Sequence, residues 1–236
     1  MDKETIIISL GGSLVAPGEI DTEFLNKFKN TLGKYIGTNP PSSKTSARRR
    51  KFIIIVGGGK MARVYQKALL EFGAKNNARD WMGINITKLN AEVVRQVFNK
   101  NAYSEIITNP NKKIKTNKDI ILGAGWKPGC STDKDAVLIA KTYKVKTIIN
   151  LTNIDYVYDK NPNEFADAKP VKNIDWKNFQ KIVGDKWFPG KSAPFDPIAT
   201  KLAGKLKLKV VLINGKKLEY LEDFLNNKPF IGTVIQ

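Results

Sequence analysis

Short apolar runs alternate with longer amphipathic stretches along the chain. The runs at 5–10 and 52–56 are apolar at nearly every position, which is typical of strands buried on both faces of a parallel sheet. Apolar residues at helical spacing follow each run. Strands that alternate with helices predict a mainly parallel central sheet covered on both sides, a three-layer α/β/α sandwich.

The predicted helices have identifiable caps and apolar faces. Asp21 is expected to cap the first, and Ser131 or Thr132 one that carries Val137, Ile139 and Ala140. Further strands are expected at 119–122, 146–151 and 210–213 and at the closing FIGTVI. A loop that enters a helix is expected over 190–203, and a helix at 218–225. The expected apolar faces are Phe24, Leu25, Phe28 and Leu32; Tyr65, Ala68, Leu69 and Phe72; and Met82, Ile86, Leu89, Val93 and Val97.

The whole chain, residues 1–236, is expected to form one domain, because neither an internal repeat nor a separating linker is visible. Residues 38–51 are rich in Pro, Ser, Thr and basic side chains and contain almost nothing apolar to bury. They predict an exposed basic loop. Arg48, Arg49 and Arg50 either flank this loop in solvent or bind an acidic partner, and the solvated flank is favoured.

Three glycine loops follow predicted strands, at 11–13, 57–59 and 123–129. Glycine lets a ligand approach backbone N–H groups closely, and the helix after 57–59 adds the positive end of its dipole. The carboxyl ends of parallel strands meet at one sheet edge, so the loops should converge there. This arrangement predicts a site for phosphorylated ligands.

Two common phosphate motifs fit the 57–59 turn poorly. The P-loop pattern fails because Met61 stands where a Ser or Thr is required. GxGxxA is matched, with Asp80 about twenty residues on, but 72–79 offers no strand before the acid, which disfavours an NAD site. Asp80 itself either caps the helix predicted over 78–100 or contacts a ligand hydroxyl.

Composition narrows the chemistry. The 236 residues include no histidine, and Cys130 is the only cysteine, so imidazole catalysis, an internal disulfide and a cysteine metal cluster are excluded. Carboxylates, lysines, backbone amides and a bound divalent ion remain, which favours phosphoryl transfer. A membrane span and a secretory leader are not visible, so a cytoplasmic location is expected.

The net charge of +18 is compatible with a nucleic-acid partner, but its distribution argues against one. Only six of the 40 basic residues are arginine, the residue that base and phosphate recognition favours, and the lysines are scattered. A lysine-coated surface that attracts phosphorylated metabolites is the simpler interpretation.

Several stretches, in order across nearly the whole chain, resemble the amino acid kinase family and within it the archaeal-type uridylate kinases. They are IIISLGGSLVAPGEID, IIIVGGGKMAR, RDWMGINITKLNA, PGCSTDKDAV, LTNIDYVYDKNP, FDPIATKLA and IGTVI. The resemblance implies Mg²⁺-dependent transfer of the ATP γ-phosphate to UMP, giving UDP for pyrimidine nucleotide biosynthesis, in a homo-oligomer that is a hexamer. Alternatives are another small acceptor or a non-catalytic nucleotide-binding regulatory or storage protein.

The resemblance also implies roles for individual residues. Those for catalysis are Asp196, Asp133, Arg63 and Lys60. Those for ATP are Gly11, Gly12, Ser13, Gly59, Arg63, Thr152, Asn153, Tyr158 and Asn161. Those for UMP are Gly58, Asp80, Lys127, Pro128, Gly129, Cys130, Ser131 and Thr132.

The chain departs from the family pattern in three regions. Ser9 stands where many members have a lysine, and Lys60, Lys127 and Lys191 are the candidates to replace its charge. The acceptor loop carries Trp126, Lys127 and Cys130 in place of Thr-His and His and is one residue longer. Asn161 replaces a usual aspartate. These differences concern the acceptor more than the kinase chemistry.

Overall fold

The computed structural model describes residues 3–37, 49–160, 162, 164–190 and 193–236. Its strands are β1 (Glu4–Leu10), β2 (Arg50–Val56), β3 (Ile120–Gly123), β4 (Thr147–Thr152), β5 (Val157–Tyr158), β6 (Pro170–Val171), β7 (Asn173–Ile174), β8 (Lys209–Asn214) and β9 (Thr233–Ile235). Its α-helices are α1 (Gly12–Val15), α2 (Thr22–Gly33), α3 (Gly59–Glu71), α4 (Asn76–Phe98), α5 (Thr132–Tyr143), α6 (Trp176–Val183), α7 (Pro197–Lys205) and α8 (Leu218–Leu225).

Seven strands form the central sheet, in the order β3-β2-β1-β4-β8-β9-β7. The first five run parallel, and β9 runs antiparallel to β8. Ile7 of β1 pairs with Ile53 of β2 and Ile148 of β4, so the most apolar strands lie together in the middle of the sheet. The carboxyl ends of β1, β2 and β4 therefore meet at one edge.

Alternate residues of the central strands face two separate cores. Ile8 and Ile54 pack with residues of α2, α4 and α8, whereas Ile7 and Ile53 pack with residues of α5, α6 and α7. Each strand is buried on both faces because helices cover both. The three-layer α/β/α sandwich predicted from the sequence is confirmed.

Both helices are present, but the face predicted for α3 was wrong and the face predicted for α4 was correct only in part. Ile86 is buried, and Val93 and Val97 pack against one core. Tyr65 is 46% exposed, Phe72 85% and Leu89 65%. The buried residues of α3 are Ala62 and Gln66, because α3 packs on α4 rather than on the sheet. Periodicity reports which side chains are apolar, and here part of the apolar surface faces away from both cores.

The predicted exposed loop over 38–51 was wrong at its end. Arg50 begins β2 and is buried, with its Nε 2.9 Å from a carboxylate oxygen of Glu4 and its Nη2 donating to the Leu225 carbonyl at 2.7 Å. Lys51 is half-buried, and its Nζ donates to the Thr116 carbonyl. The ion pair of Arg50 with Glu4 and the hydrogen bonds of Arg50 and Lys51 to backbone carbonyls hold strand β2 where composition indicated a loop. Residues 38–48 lie outside the described residues.

Most predicted elements were correct to within a few residues. Asp21 caps α2 by accepting from Phe24 N at 2.8 Å, and Ser131 caps α5 by accepting from Asp133 N at 3.1 Å. Helix α6 and the short strands β5, β6 and β7 were not predicted, whereas the closing strand was and is β9. In the part of the chain that the structure describes, no helix is long and apolar enough to cross a membrane.

Candidate active site

The glycine loops after β1 and β2 pack backbone against backbone. Gly57 N donates to the Leu10 carbonyl at 2.9 Å, and Gly59 has φ +67°. A Cβ on Gly12 would overlap Gly59 N and the Gly57 carbonyl, and a Cβ on Gly59 would overlap the Gly12 carbonyl. Only glycine lets the two loops approach this closely at the starts of α1 and α3.

An asparagine of α4 fixes the 57–59 turn. Asn90 Nδ2 donates to the Gly57 carbonyl at 2.9 Å and to the Gly58 carbonyl at 3.2 Å. Both carbonyls are thereby directed toward α4, and Gly58 is the N-cap residue of α3. The turn presents a helix N-terminus without an acidic side chain in its first turn, as an anion cradle requires.

A cavity of about 180 Å³ opens at the ends of β1 and β4. We call it the β1–β4 cavity. It is polar, and Asn150 Nδ2 holds its rim by donating to the Pro194 carbonyl at 2.8 Å. Its lining includes these residues with predicted roles: Gly11, Gly12, Ser13, Arg63, Ser131, Thr132, Asp133, Thr152, Asn153 and Asp196.

A second cavity, of about 170 Å³, lies between α3, α4, the 125–132 loop and α5. We call it the α4–α5 cavity. Its lining includes eight residues with predicted roles: Gly58, Gly59, Arg63, Asp80, Lys127, Cys130, Ser131 and Thr132.

Asp80 does not cap α4, because the helix begins four residues earlier at Asn76. Asp80 is buried, and its Oδ2 accepts from Gly129 N at 2.7 Å. Burial raises the pKa of this carboxyl, and the Gly129 hydrogen bond opposes the rise. Asp80 thus ties α4 to the 125–132 loop. Gly129 lines neither cavity and contacts the site through its hydrogen bond to Asp80.

The two cavities share one wall. Arg63, Ser131 and Thr132 line both, as does Trp187, which the sequence did not single out. Arg63 Nη2 donates to Ser13 Oγ at 3.2 Å, across the mouth of the β1–β4 cavity. Ser131 and Thr132 start α5, so a cation and a helix N-terminus lie between the cavities.

Asp133 and Asp196 form a hydrogen-bonded pair beside this wall. Asp133 accepts from Ser9 Oγ at 2.8 Å and from Asp196 N at 3.0 Å. Asp196 accepts from Ser131 N at 2.5 Å and caps α7 through Ile198 N. Burial, and then the nearby Asp196 carboxylate, raises the pKa of Asp133 to about 6.

These carboxylates are not arranged as a protein cage for a metal ion. Each of the four oxygens of Asp133 and Asp196 already accepts a hydrogen bond from the protein. Among the described residues, no cluster of three carboxylate or thiol groups could hold a metal. A divalent ion at this edge therefore needs ligand phosphates for most of its coordination.

Five residues with predicted roles lie away from both linings or outside the described residues, namely Lys60, Pro128, Gly129, Tyr158 and Asn161. Lys60 is exposed, Tyr158 lies in β5, and Pro128 lines neither cavity. Asn161 and Lys191 lie outside the described residues. Of the three lysines considered as substitutes for the charge at Ser9, Lys127 lines a cavity, with its Nζ 4.3 Å from the centre of the Trp126 ring.

The sequence interpretation missed Asp135, Thr87 and Gln66, which all line the α4–α5 cavity. Asp135 is 3% exposed, and its Oδ2 accepts from Trp126 N at 3.1 Å. Burial raises the pKa of its carboxyl to about 7. The available signal was its spacing, since Asp135 follows Thr132 by three residues and so shares a helix face with it.

Replacing Asp135 with Asn should stabilise the fold progressively as pH rises. The pKa of this carboxyl is 3.8 in the reference state and about 7 in the native state, so the native state holds the proton more tightly. The contribution of this carboxyl to the stability of wild type is therefore highest below pH 3.8, falls as pH rises from 3.8 to about 7, and changes little above that. The free energy of unfolding of the variant should gain about 2–3 kcal/mol over wild type between about pH 5 and about pH 8. Urea unfolding measures this, with Asp223→Asn on α8 as the matched control. A pH-independent difference would contradict the assignment.

Comparison with known proteins agrees with this geometry. The model of the amino acid kinase family matches residues 4–214. The uridylate kinase of Methanococcus aeolicus is 31% identical over 98% of this chain and 98% of its own length. That of Pyrococcus abyssi is 29% identical over 98% of this chain and 99% of its own length.

Solved structures share the fold of this chain. The crystal structure of uridylate kinase from Archaeoglobus fulgidus superposes with a TM-score of 0.79 at 27% identity, covering 98% of this chain and 99% of that one. UMP kinase from Ureaplasma parvum, 18% identical, shares the fold with a TM-score of 0.77 over the full length of both chains. The matched model spans most of the chain, and therefore the protein belongs to the amino acid kinase family.

Proposed function

We propose that the protein is a nucleoside monophosphate kinase that transfers the γ-phosphate of ATP to UMP, giving ADP and UDP for pyrimidine nucleotide biosynthesis. The observation that carries this proposal is the shared wall of Arg63, Ser131 and Thr132 between the two cavities. Two phosphorylated ligands placed in these cavities meet at that wall. The archaeal relatives that match nearly the full chain are uridylate kinases, which supports UMP as the acceptor.

The β1–β4 cavity is the proposed ATP site. Gly12 and Ser13 begin α1, so their backbone N–H groups are placed to reach phosphate oxygens. Gly11 lines the same cavity with its own N–H donated to the Leu151 carbonyl at 2.9 Å, and Thr152 and Asn153 line the side toward β4. Tyr158 and Asn161 would contact the nucleotide of ATP, as the resemblance to the family implies. Mg²⁺ enters with the ATP phosphates and neutralises part of their charge.

The α4–α5 cavity is the proposed UMP site. Gly58, Lys127, Cys130, Ser131 and Thr132 would surround the acceptor phosphate near the shared wall, and Asp80 would receive the ribose hydroxyls. Pro128 and Gly129 complete the same loop behind the lining. Gly59 and Arg63 face the phosphate in transit. Because the acceptor oxygen and the γ-phosphate meet at this wall, the reaction is an in-line displacement without a covalent enzyme intermediate.

Charge neutralisation and positioning are the chemical contributions of this chain. The Arg63 guanidinium offsets negative charge on the moving phosphoryl group, and the N-terminus of α5 contributes its dipole. Asp133 and Asp196 position the wall, since Asp196 holds Ser131 N and Asp133 holds Asp196 N. Lys60 supplies further positive charge from the start of α3.

An ADP-release assay with UMP, CMP, dUMP, acetylglutamate and carbamate tests the proposal. We expect UMP to be the preferred acceptor, in an ATP- and Mg²⁺-dependent reaction. Preference for another acceptor would identify a different kinase of the family. Tight ATP binding with no ADP formed from any acceptor would indicate a non-catalytic nucleotide-binding protein. ATP and UMP are cytoplasmic metabolites, so we place the reaction in the cytoplasm.

Asp80→Ala should raise the KM for UMP by at least about tenfold while changing the KM for ATP little. Asp80 lines only the α4–α5 cavity and holds Gly129 in place, so its loss acts on one substrate. Steady-state kinetics with each substrate varied in turn measures the difference. An equal loss for both nucleotides would reject the assignment, and Asp80→Asn, which keeps an acceptor for Gly129 N, should lose less.

The outer face of α3 supports assembly into a homo-oligomer, which the resemblance implies to be a hexamer. Met61, Val64, Tyr65 and Phe72 are between 40% and 85% exposed and lie at helical spacings of three, four and seven, so they share one side of α3. Such an apolar face favours burial against another copy. Val64→Glu should shift the protein to a smaller species in light scattering after size exclusion. Lys67→Gln on the same helix is the control, and an unchanged mass for Val64→Glu would exclude this face.

A further inference from the structure

Asp135 carries a buried polar atom that the proposed mechanism does not use. Its Oδ2 accepts from Trp126 N, whereas its Oδ1 has no hydrogen-bond partner anywhere in the described portion of the chain. The side chain is 97% buried and lies in the lining of the α4–α5 cavity. An unpaired buried carboxylate oxygen is costly, which is why burial raises the pKa of Asp135 to about 7. A bound ligand that donates to Oδ1 stabilises the ionised carboxylate and thereby gains affinity and selectivity.

The position of Asp135 assigns it to the end of the cavity away from the phosphates. Thr132 lies in the wall that both cavities share, and Asp135 lies three residues further along α5, about 4.5 Å deeper at the helical rise. Asp135 lines only the α4–α5 cavity and not the β1–β4 cavity. An acceptor whose phosphate sits at the shared wall therefore extends its other end toward Asp135.

Apolar and small residues line the α4–α5 cavity beside Asp135. Gly125, next to Trp126, has its N–H paired with Thr87 Oγ1 at 2.9 Å. A Cβ on Gly125 would lie 3.1 Å from Ile84 Cγ1 and 3.2 Å from Thr87 Oγ1, so the glycine lets this loop pack closely against α4. Ala62, Gly83 and Ile84 also line the cavity, so a base bound there meets an apolar wall, and polar contact at its edge falls to Asp135.

We propose that Asp135 is a specificity-determining residue whose Oδ1 accepts a hydrogen bond from the N3–H of the acceptor's uracil ring. This inference rests on the proposed function. The pairing edge of uracil offers one N–H between two carbonyl oxygens, so N3–H is its one donor to a carboxylate there. Cytosine has a lone pair at N3 and would face Oδ1 with a second acceptor, leaving both groups unpaired.

Asp135→Asn is the discriminating variant. It keeps the shape of the side chain, and its amide oxygen can still accept from Trp126 N, which places an NH₂ donor where Oδ1 stood. The KM for UMP should rise at least about tenfold with little change in kcat or in the KM for ATP. The ratio of kcat/KM for UMP to that for CMP should fall at least about tenfold.

An N3-methyl analogue of UMP provides a second measurement. Wild type should reject it strongly because the donor is lost and the methyl group meets Asp135. Asp135→Ala removes the carboxylate and opens space, so the gap between UMP and the methylated analogue should narrow. Asp223→Asn, on α8 and outside both cavity linings, serves as the matched control and should match wild type with every acceptor.

The outcomes separate this inference from the proposed function. Failure of wild type to phosphorylate UMP would overturn both. Turnover of UMP by wild type, together with unchanged KM and unchanged UMP to CMP selectivity in Asp135→Asn, would overturn the role of Asp135 alone. Urea unfolding of each variant shows that it is folded, so that a lost preference for UMP is attributed to the pocket.

Discussion

Gly12→Ala should destabilise the fold by about 3 kcal/mol or more and lower kcat/KM at least about a hundredfold. The added Cβ would overlap backbone atoms of Gly57 and Gly59, which no change of rotamer can relieve. Either the 57–59 turn moves or the β1 end does. Both belong to the phosphate-binding edge, so the loss of stability and the loss of activity share one cause. Urea unfolding and the ADP-release assay measure the two effects.

Gly18→Ala is the matched control for this substitution. Gly18 lies in the next loop, and a Cβ there would meet no atom within 4 Å. Its variant should unfold and react like wild type. If Gly12→Ala also did so, the close backbone packing of the two glycine loops would be refuted.

Arg63→Ala should lower kcat/KM by about 10²–10³ with little effect on stability. Arg63 is exposed on the first turns of α3, and its guanidinium donates to Ser13 Oγ at the wall that both cavities share. Loss of this cation leaves negative charge on the transferring group uncompensated. Most of the effect should appear in kcat, because the charge matters most during transfer.

Arg95→Ala on α4 controls for the loss of a surface arginine. Arg95 pairs with Glu92 at 2.6 Å, one turn away on its own helix, and lines neither cavity. Its kinetics should match those of wild type. An Arg63→Ala enzyme with unchanged kcat would show that the guanidinium does not contact the moving phosphate.

The sheet and its loops could be predicted because the residues that each strand and turn prefers locally are also the ones that the packed fold requires there. Apolar runs such as 52–56 are buried on both sides, and each is followed by glycines that the close packing requires. Caps such as Asp21 also act locally, through a hydrogen bond three residues away. Each signal therefore lies within a short window of sequence.

The helix faces and the pocket interior depend on distant partners, which a single sequence does not display. Leu89 and Phe72 are apolar but exposed, since α3 covers α4 and turns its own apolar side outward. Arg50 was assigned to a loop because its partners, Glu4 and Leu225, are far along the chain. Asp135 was missed because its role depends on the Trp126 N–H and on a cavity formed by four separate elements.

The shared wall of Arg63, Ser131 and Thr132 has a thermodynamic consequence. One structural unit borders both ligands, so any adjustment of it that accompanies ATP binding alters the affinity for the acceptor. Linkage then requires the acceptor to alter the affinity for ATP by the same factor. Titrating one nucleotide in the presence of the other gives a single coupling free energy, whichever ligand is added first.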